Sequence, residues 1–274
     1  MKDFFGKISG YFLFTVLFGF IVLSSVFSTG NSQRAGTSIS VGATPVPHAE
    51  LLNLIREDLA AQGFNLRVVE FTDYVQPNMA VLSGDLDANF FQHIPYLETN
   101  AEWSSKMVPA FGVHIEPFGL YSSRHGSLED LPNGASIAIP NDPSNGGRAL
   151  LLLQSNGLIT LRAGVGLTAT PRDITDNPRN FRFRELEAAQ LTRSLSDVDA
   201  AAINGNYALQ AGFSPLKDSL IIEGPDSPYV NIVVTLRGNE NTPSIAALRN
   251  ALLSSKVREY INRTWSDGSV VPVF

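Results

Sequence analysis

The chain has 274 residues, 44% hydrophobic and 17% charged, enough for one large domain or two smaller lobes with real cores. Its net charge of −6 comes without any basic cluster of the kind nucleic acid requires, which excludes nucleic-acid partners. Cysteine is absent, so disulfides, thiolate metal sites and a cysteine nucleophile are ruled out, and the redox compartment stays undecided.

The first thirty residues read as a targeting segment. Lys2 and Lys7 precede an uncharged run from Tyr11 to Phe27, and Ser28-Thr29-Gly30 then offers small residues of the kind signal peptidase prefers. The run is slightly short for a spanning helix of about 20 residues but lies within the tolerated range. Residues 1–37 are therefore a cleaved signal or an uncleaved anchor with its linker. Membrane association through this segment is possible, and the remainder is exported, to the periplasm or the cell surface.

From Ser38 the chain alternates strands and helices. Ser38 to Val41 predicts a strand ending at the turn Pro45-Val46-Pro47, and Glu50 to Gln62 shows the helical period in Leu51, Leu54, Ile55 and Leu59 before Gly63. Leu66 to Phe71 is a second strand, Pro77 to Ser83 a short helix, and Leu86 to Phe90 a third strand. Further strands fall at 135–139, at Asp199 to Ile203 and at Tyr229 to Thr235, and two helices near Ser244–Ser254 and Lys256–Trp265 close the chain. Strands separated by helices imply parallel sheets covered on both faces.

Three patches carry candidate chemistry. In Asn141-Asp142-Pro143-Ser144-Asn145-Gly146-Gly147-Arg148, Ser144 or Asn145 can cap a helix, and the two glycines can let backbone approach a ligand. Cations are disfavoured at a helix N-terminus, so Arg148 there points to a bound anion, and its guanidinium suits a planar carboxylate. An ordinary capped helix with Arg148 in solvent explains the motif equally well. The segment Asp85 to Leu97 places Phe91, His93 and Tyr96 where a strand ends and a helix begins, and Tyr74 holds the equivalent position one unit earlier. Ligands in open α/β sheets sit outside such strand ends, so these four read as a pocket, although either phenylalanine alone reads as core. The third patch pairs Asn204 and Asn206 after a strand with Asn231 inside one. Amides supply acceptors for an ammonium and donors for a carboxylate, and a buried strand asparagine needs partners. For Asn204 and Asn206, turn and capping chemistry is the common alternative.

Residues 70–97, 139–153 and 226–233 together resemble the methionine-binding lipoproteins of ABC importers, the NlpA/MetQ-like family, and the likeness runs from about Ser40 to the C-terminus. The resemblance implies a periplasmic binding protein-like α/β fold, two lobes joined by two crossover strands. It implies that Tyr74, Phe91, His93 and Tyr96 cage a thioether while Arg148, Asn145, Asn204 and Asn231 hold the α-carboxylate and ammonium. No catalytic residue, metal or cofactor is implied; the partners are L-methionine and a methionine ABC permease. The expected lobes are 38–118 plus 234–274 and 119–233.

One departure stands out. The family pattern places a lipid-bearing cysteine after the hydrophobic run, where this chain has Ser28-Thr29-Gly30-Asn31, so lipidation through cysteine is chemically impossible in this sequence. The competing classes are an exported hydrolase on the same fold and a surface adhesin or signalling protein. No serine sits in a Gly-x-Ser-x-Gly context, and His48, His93, His114 and His125 lack metal-ligand spacing, so the expected function is binding and not catalysis.

Overall fold

The computed structural model describes residues 37–224 and 227–274. The targeting segment therefore lies outside the described residues. Thirteen strands are described: β1 Thr37–Ala43, β2 Phe64–Glu70, β3 Ala88–His93, β4 Met107–Ile115, β5 Gly119–Tyr121, β6 Ser136–Pro140, β7 Thr160–Leu161, β8 Ile174–Asp176, β9 Arg182–Leu186, β10 Ala200–Ile203, β11 Ser219–Ile222, β12 Val230–Leu236 and β13 Val271–Pro272. Six form one sheet in the order β13-β4-β12-β3-β1-β2, five form another in the order β11-β5-β10-β6-β9, and β7 and β8 make a small ribbon.

Each large sheet has a three-stranded parallel heart, β3-β1-β2 in the first and β10-β6-β9 in the second. The remaining strands run antiparallel, β12 to both β3 and β4, and β5 to both β10 and β11. The expectation of purely parallel sheets is corrected accordingly. Helix-linked strands do pair in parallel, but strands that follow a crossing between lobes arrive from the other direction. Two α/β lobes result, each with buried apolar residues on both faces of its sheet.

The elements form where the side-chain pattern demands. In β3, Phe90 packs into the core beneath β1 while Phe91 faces the opposite cluster, as period-two alternation requires. The predicted helix Glu50 to Gln62 is instead two, Glu50–Leu54 and Arg56–Ala61, broken where Ile55 leaves helical geometry at φ −98° and ψ 3°. Gly63, at φ +84°, turns the chain into β2. The strand β4 contains Pro109 and Gly112 and pairs with β12 through two register shifts that skip Ala110 and Val113. Among the described residues no helix is long and apolar enough to cross a membrane.

Candidate ligand-binding site

The parallel strands of both lobes end at one cleft. From the first lobe, β3 delivers Phe91 and His93, the helix Ile94–Glu98 delivers Tyr96, and the turn after β2 delivers Tyr74. From the second, β6 runs into the helix Pro143–Ser155 with Asn145 and Arg148, and β10 ends at Asn204. Asn231 comes from the start of β12. All eight residues expected from the sequence line one cavity, together with Gln92, Glu116, Gly205 and Asn206.

The aromatic wall is self-supporting. The Tyr74 ring lies 5.7 Å from Phe91, 5.8 Å from Tyr96 and 5.0 Å from Tyr207. The Tyr96 hydroxyl donates to the Tyr74 carbonyl at 3.0 Å. Tyr207, which the sequence motifs did not single out, donates its own hydroxyl to Thr72 O at 3.0 Å and so ties the second lobe to the first. His93 is less free than its place suggests. Its Nδ1 accepts from Tyr96 N, capping the helix Ile94–Glu98, and its Nε2 lies 3.2 Å from Asn145 Oδ1. Burial, with Arg148 nearby, holds this ring neutral by pulling its pKa down to about 3.

The helix Pro143–Ser155 departs from expectation in three ways. Its cap is Asp142, whose carboxylate accepts from Asn145 N at 2.8 Å, and not Ser144 or Asn145. The anion at the helix N-terminus is therefore the protein's own. The glycines serve packing against backbone: a Cβ on Gly146 would lie 2.8 Å from Pro140 O, and one on Gly147 only 2.2 Å from Leu167 O. Arg148 sits in the second turn, so the dipole argument does not govern it. Its Nε donates to Glu223 Oε1 at 2.9 Å and its Nη2 donates to Glu223 Oε2 and to Glu116 O. The guanidinium lies 4.1 Å from the Tyr229 ring centre and 5.1 Å from that of Phe118. Among the described residues its Nη1 has no hydrogen-bond partner.

Hydrogen-bond polarity around the cavity follows from the acceptor-only carboxylate of Asp142. It takes both Asn145 N and Asn145 Nδ2, the latter at 3.0 Å, so Asn145 Oδ1 must face the other way. That oxygen accepts from Asn204 Nδ2 at 2.8 Å, which leaves Asn204 Oδ1 buried and without a partner among the described residues. Asn206 has the opposite polarity. Its Oδ1 pairs with the Tyr74 hydroxyl at 2.6 Å, and its Nδ2 is the orphan. Asn231 Oδ1 pairs with His48 Nε2 at 3.1 Å, which turns its Nδ2 donor away from the histidine. Buried amide groups without partners are costly, so these groups are ready for a ligand that supplies both a donor and an acceptor.

Behind Asn231 lie His48, His114 and Glu116, all buried, with their ligand-type atoms within 4.8 Å of one another. Positions 48, 114 and 116 share no metal-binding spacing, so the cluster was invisible in sequence. Both rings point Nε2 at the same carboxylate oxygen, at 2.7 Å for His114 and 3.3 Å for His48, as hydrogen-bond donors would. Tyr74 was legible at its strand end, whereas for Arg148 and Asn204 the local pattern left an ordinary structural explanation open and the family resemblance supplied the assignment. Glu116, Asn206, Tyr207, Glu223 and Tyr229 were not legible, apart from Asn206 in its asparagine-rich turn.

Two α/β lobes, strand ends meeting at a cleft and a cavity with aromatic walls and polar anchors define a solute-binding protein of the class that serves ABC transporters, a binding protein and not an enzyme. The chain belongs to the NlpA lipoprotein family, whose profile matches residues 39–274. It is 43% identical over 257 residues to the membrane lipoprotein TpN32 of Treponema pallidum, covering 93% of this chain and 96% of that one. It is 39% identical over 259 residues to the methionine-binding lipoprotein MetQ of Bacillus subtilis, covering 92% and 94%. Among solved structures, a nutrient-binding protein from Burkholderia cenocepacia bound to methionine superposes with a TM-score of 0.82 at 46% identity, over 86% of this chain and all of that one.

Proposed function

We propose that this protein is an extracytoplasmic receptor that binds L-methionine between its lobes and delivers it to an ABC permease. The observation that carries the reading is the composition of one cavity: three aromatic rings at one side, and a cation with oriented, unpaired amide groups at the other. Tyr74, Phe91 and Tyr96 offer a slim apolar slot in which a polarizable thioether gains about 0.3–1.5 kcal/mol per sulfur–aromatic contact. Arg148 Nη1, Asn206 Nδ2 and Asn231 Nδ2 are donors for a carboxylate, and Asn204 Oδ1 is an acceptor for an ammonium. Relatives named for methionine and for D-methionine stand at about 40% identity over most of the chain, which supports the ligand class. The lobes on this reading are 38–118 plus 234–274 and 119–233, and closure around the ligand creates the shape the permease recognises.

Calorimetric titration of ligand-stripped protein with L-methionine, D-methionine, leucine and glutamine tests this. L-methionine binds most tightly. A shape change in an apolar pocket is worth about 1–3 kcal/mol, so leucine binds roughly ten- to two-hundred-fold more weakly. Glutamine is weaker again, because its amide loses water without gaining partners. Glutamine matching methionine would replace this reading with a polar amino-acid receptor. The protein carries no thioether-linked lipid, because the sequence holds no cysteine. A diacylglyceryl-modified N-terminus on the native protein would contradict that.

A further inference from the structure

Tyr207 belongs to the second lobe, in the helix Gly205–Gln210, but its ring and hydroxyl both reach the first. The ring centre stands 5.0 Å from that of Tyr74, and the hydroxyl donates to Thr72 O at 3.0 Å, across 135 positions of sequence. Both partners sit in one turn, residues 71–75, between β2 and the helix Gln76–Leu82. That turn is tied down on its own side. Phe71 N donates to Ala43 O at 2.9 Å, and the Asp73 carboxylate accepts from Val75 N and Gln76 N. The donor is equally well seated. Tyr207 packs into the buried cluster of Tyr121, Ala138 and Ile203, while Leu209 on the same helix packs against the core of the first lobe. A hydrogen bond between two groups already fixed by their surroundings loses little conformational entropy when it forms.

Tyr207 does not line the ligand cavity. It lines an outer groove with Gln76, Asp142 and Glu187, and Tyr74 and Tyr96 line both spaces. Those two tyrosines are therefore the wall between cavity and groove. Tyr96 is held within its own lobe, by its hydrogen bond to Tyr74 O and by the Trp103 ring 5.6 Å away. Tyr74 is held from across the cleft, where its hydroxyl donates to Asn206 Oδ1 and the Tyr207 ring backs it on the groove side. The wall opens when the turn carrying Tyr74 parts from the second lobe. Tyr207 bonds across that parting at a place the ligand does not touch.

We propose that Tyr207 is a latch on the closed cleft: by bolting the Tyr74 turn to the second lobe from outside the cavity, it sets how long bound ligand is retained without taking part in recognition. The assignment rests on the methionine reading, in which the lobes part to release the ligand. A hydrogen bond made only in the closed form slows opening and leaves the encounter with the open form untouched, so it acts on the release rate and not on association. Its loss weakens every ligand of the cavity by the same factor, whatever the side chain.

The test compares wild type with Tyr207→Phe, which keeps the ring and removes the hydroxyl, by isotopic exchange of bound L-methionine. Release from the variant is expected to be about two- to ten-fold faster, with the association rate and the methionine-to-leucine affinity ratio unchanged. Release at the wild-type rate, or a loss of affinity carried by slower association, overturns the latch. A hydroxyl with a structural role alone would lower the unfolding midpoint of the ligand-free protein and leave release unaltered, which overturns it too. Because the chain has no cysteine, Met79→Cys and Arg193→Cys, at exposed positions one on each lobe, take a pair of spin labels that report lobe separation directly. The closed population of the ligand-free protein is expected to fall in Tyr207→Phe. Wild type that binds no methionine overturns the methionine reading, and lobe separation then judges the latch alone: equal closed populations with and without the hydroxyl overturn it.

Discussion

Arg148 is fixed by its own surroundings before any ligand enters. Glu223 holds one edge of the guanidinium, Tyr229 and Phe118 hold its faces, and Nη1 stays available. Arg148→Ala removes the strong cation of the cleft, and methionine affinity should fall by about 2–5 kcal/mol, roughly thirty-fold to several thousand-fold, in isothermal titration. An affinity within three-fold of wild type would show that Arg148 supports the lobe and does not touch ligand. Asp142 acts one step further away. Its carboxylate forces Asn145 to donate, hence Asn204 to donate, hence Asn204 Oδ1 to remain an acceptor. Asp142→Asn removes that constraint while keeping an equally good helix cap, so stability should stay within about 1 kcal/mol. Methionine affinity should drop about ten-fold or more, because one reversed amide in the chain mismatches a charged group. Unchanged affinity in Asp142→Asn would show that the relay keeps its direction without the carboxylate.

The helix Pro143–Ser155 is seated by two glycines and not by its apolar stripe alone. Gly147 lies against the carbonyl of Leu167 in the turn Gly166–Thr168, closer than any Cβ could come. Gly147→Ala forces backbone apart on one side or the other, a strain of about 1–3 kcal/mol. Thermal denaturation should show a midpoint lower by about 2–4 °C for each kcal/mol. Because the helix carries Asn145 and Arg148, the same substitution should also weaken methionine binding. A midpoint equal to wild type would mean that the turn Gly166–Thr168 yields without cost. The contrasting element is β4, whose two skipped residues bend it around β12 and bring His114 and Glu116 to the cleft.

Three buried histidines set how the whole molecule responds to acid. Burial holds His48 at a pKa of about 4 and His93 and His114 at about 3, against an ordinary value near 6.5. Below pH 6.5 the unfolded chain takes up protons that the folded protein refuses, so stability is complete above about 6.5 and is lost as pH falls through 4. Glu116, Asp142 and Glu50 have the opposite sign, since burial raises each carboxyl and so favours the folded state on the acid side. Asp173 and Asp199, held down by hydrogen bonds, act with the histidines. The melting midpoint at pH 5 should therefore lie clearly below that at pH 7 at constant ionic strength. A flat profile would mean that the rings are protonated in the folded protein. Hydrogen bonds that cross the cleft, Tyr74 to Asn206, Tyr207 to Thr72 and His93 to Asn145, hold the lobes together in this arrangement.

Local pattern alone determined most elements and much of the site. The period-two and helical runs located β1, β2, β3, β6, β10 and β12, and the strand-to-helix junctions gave Tyr74, Phe91, His93 and Tyr96 as a pocket, because topology places such junctions at a common cleft. Asn145, Arg148 and Asn204 were assigned to it only by the family resemblance. Chain pattern could not reveal β4, since Pro109 and Gly112 conceal a strand whose bulges are tolerated only by pairing with β12. Nor could it show that the helix cap is Asp142, or that Arg148 already has Glu223, because residues 148 and 223 meet only through the tertiary fold. His48, His114 and Glu116 are likewise scattered along the chain and gathered in space. Sequence fixes which side chains carry donors, acceptors and charge. Which of them stay unpaired for a ligand is decided by the folded neighbours that use up the rest.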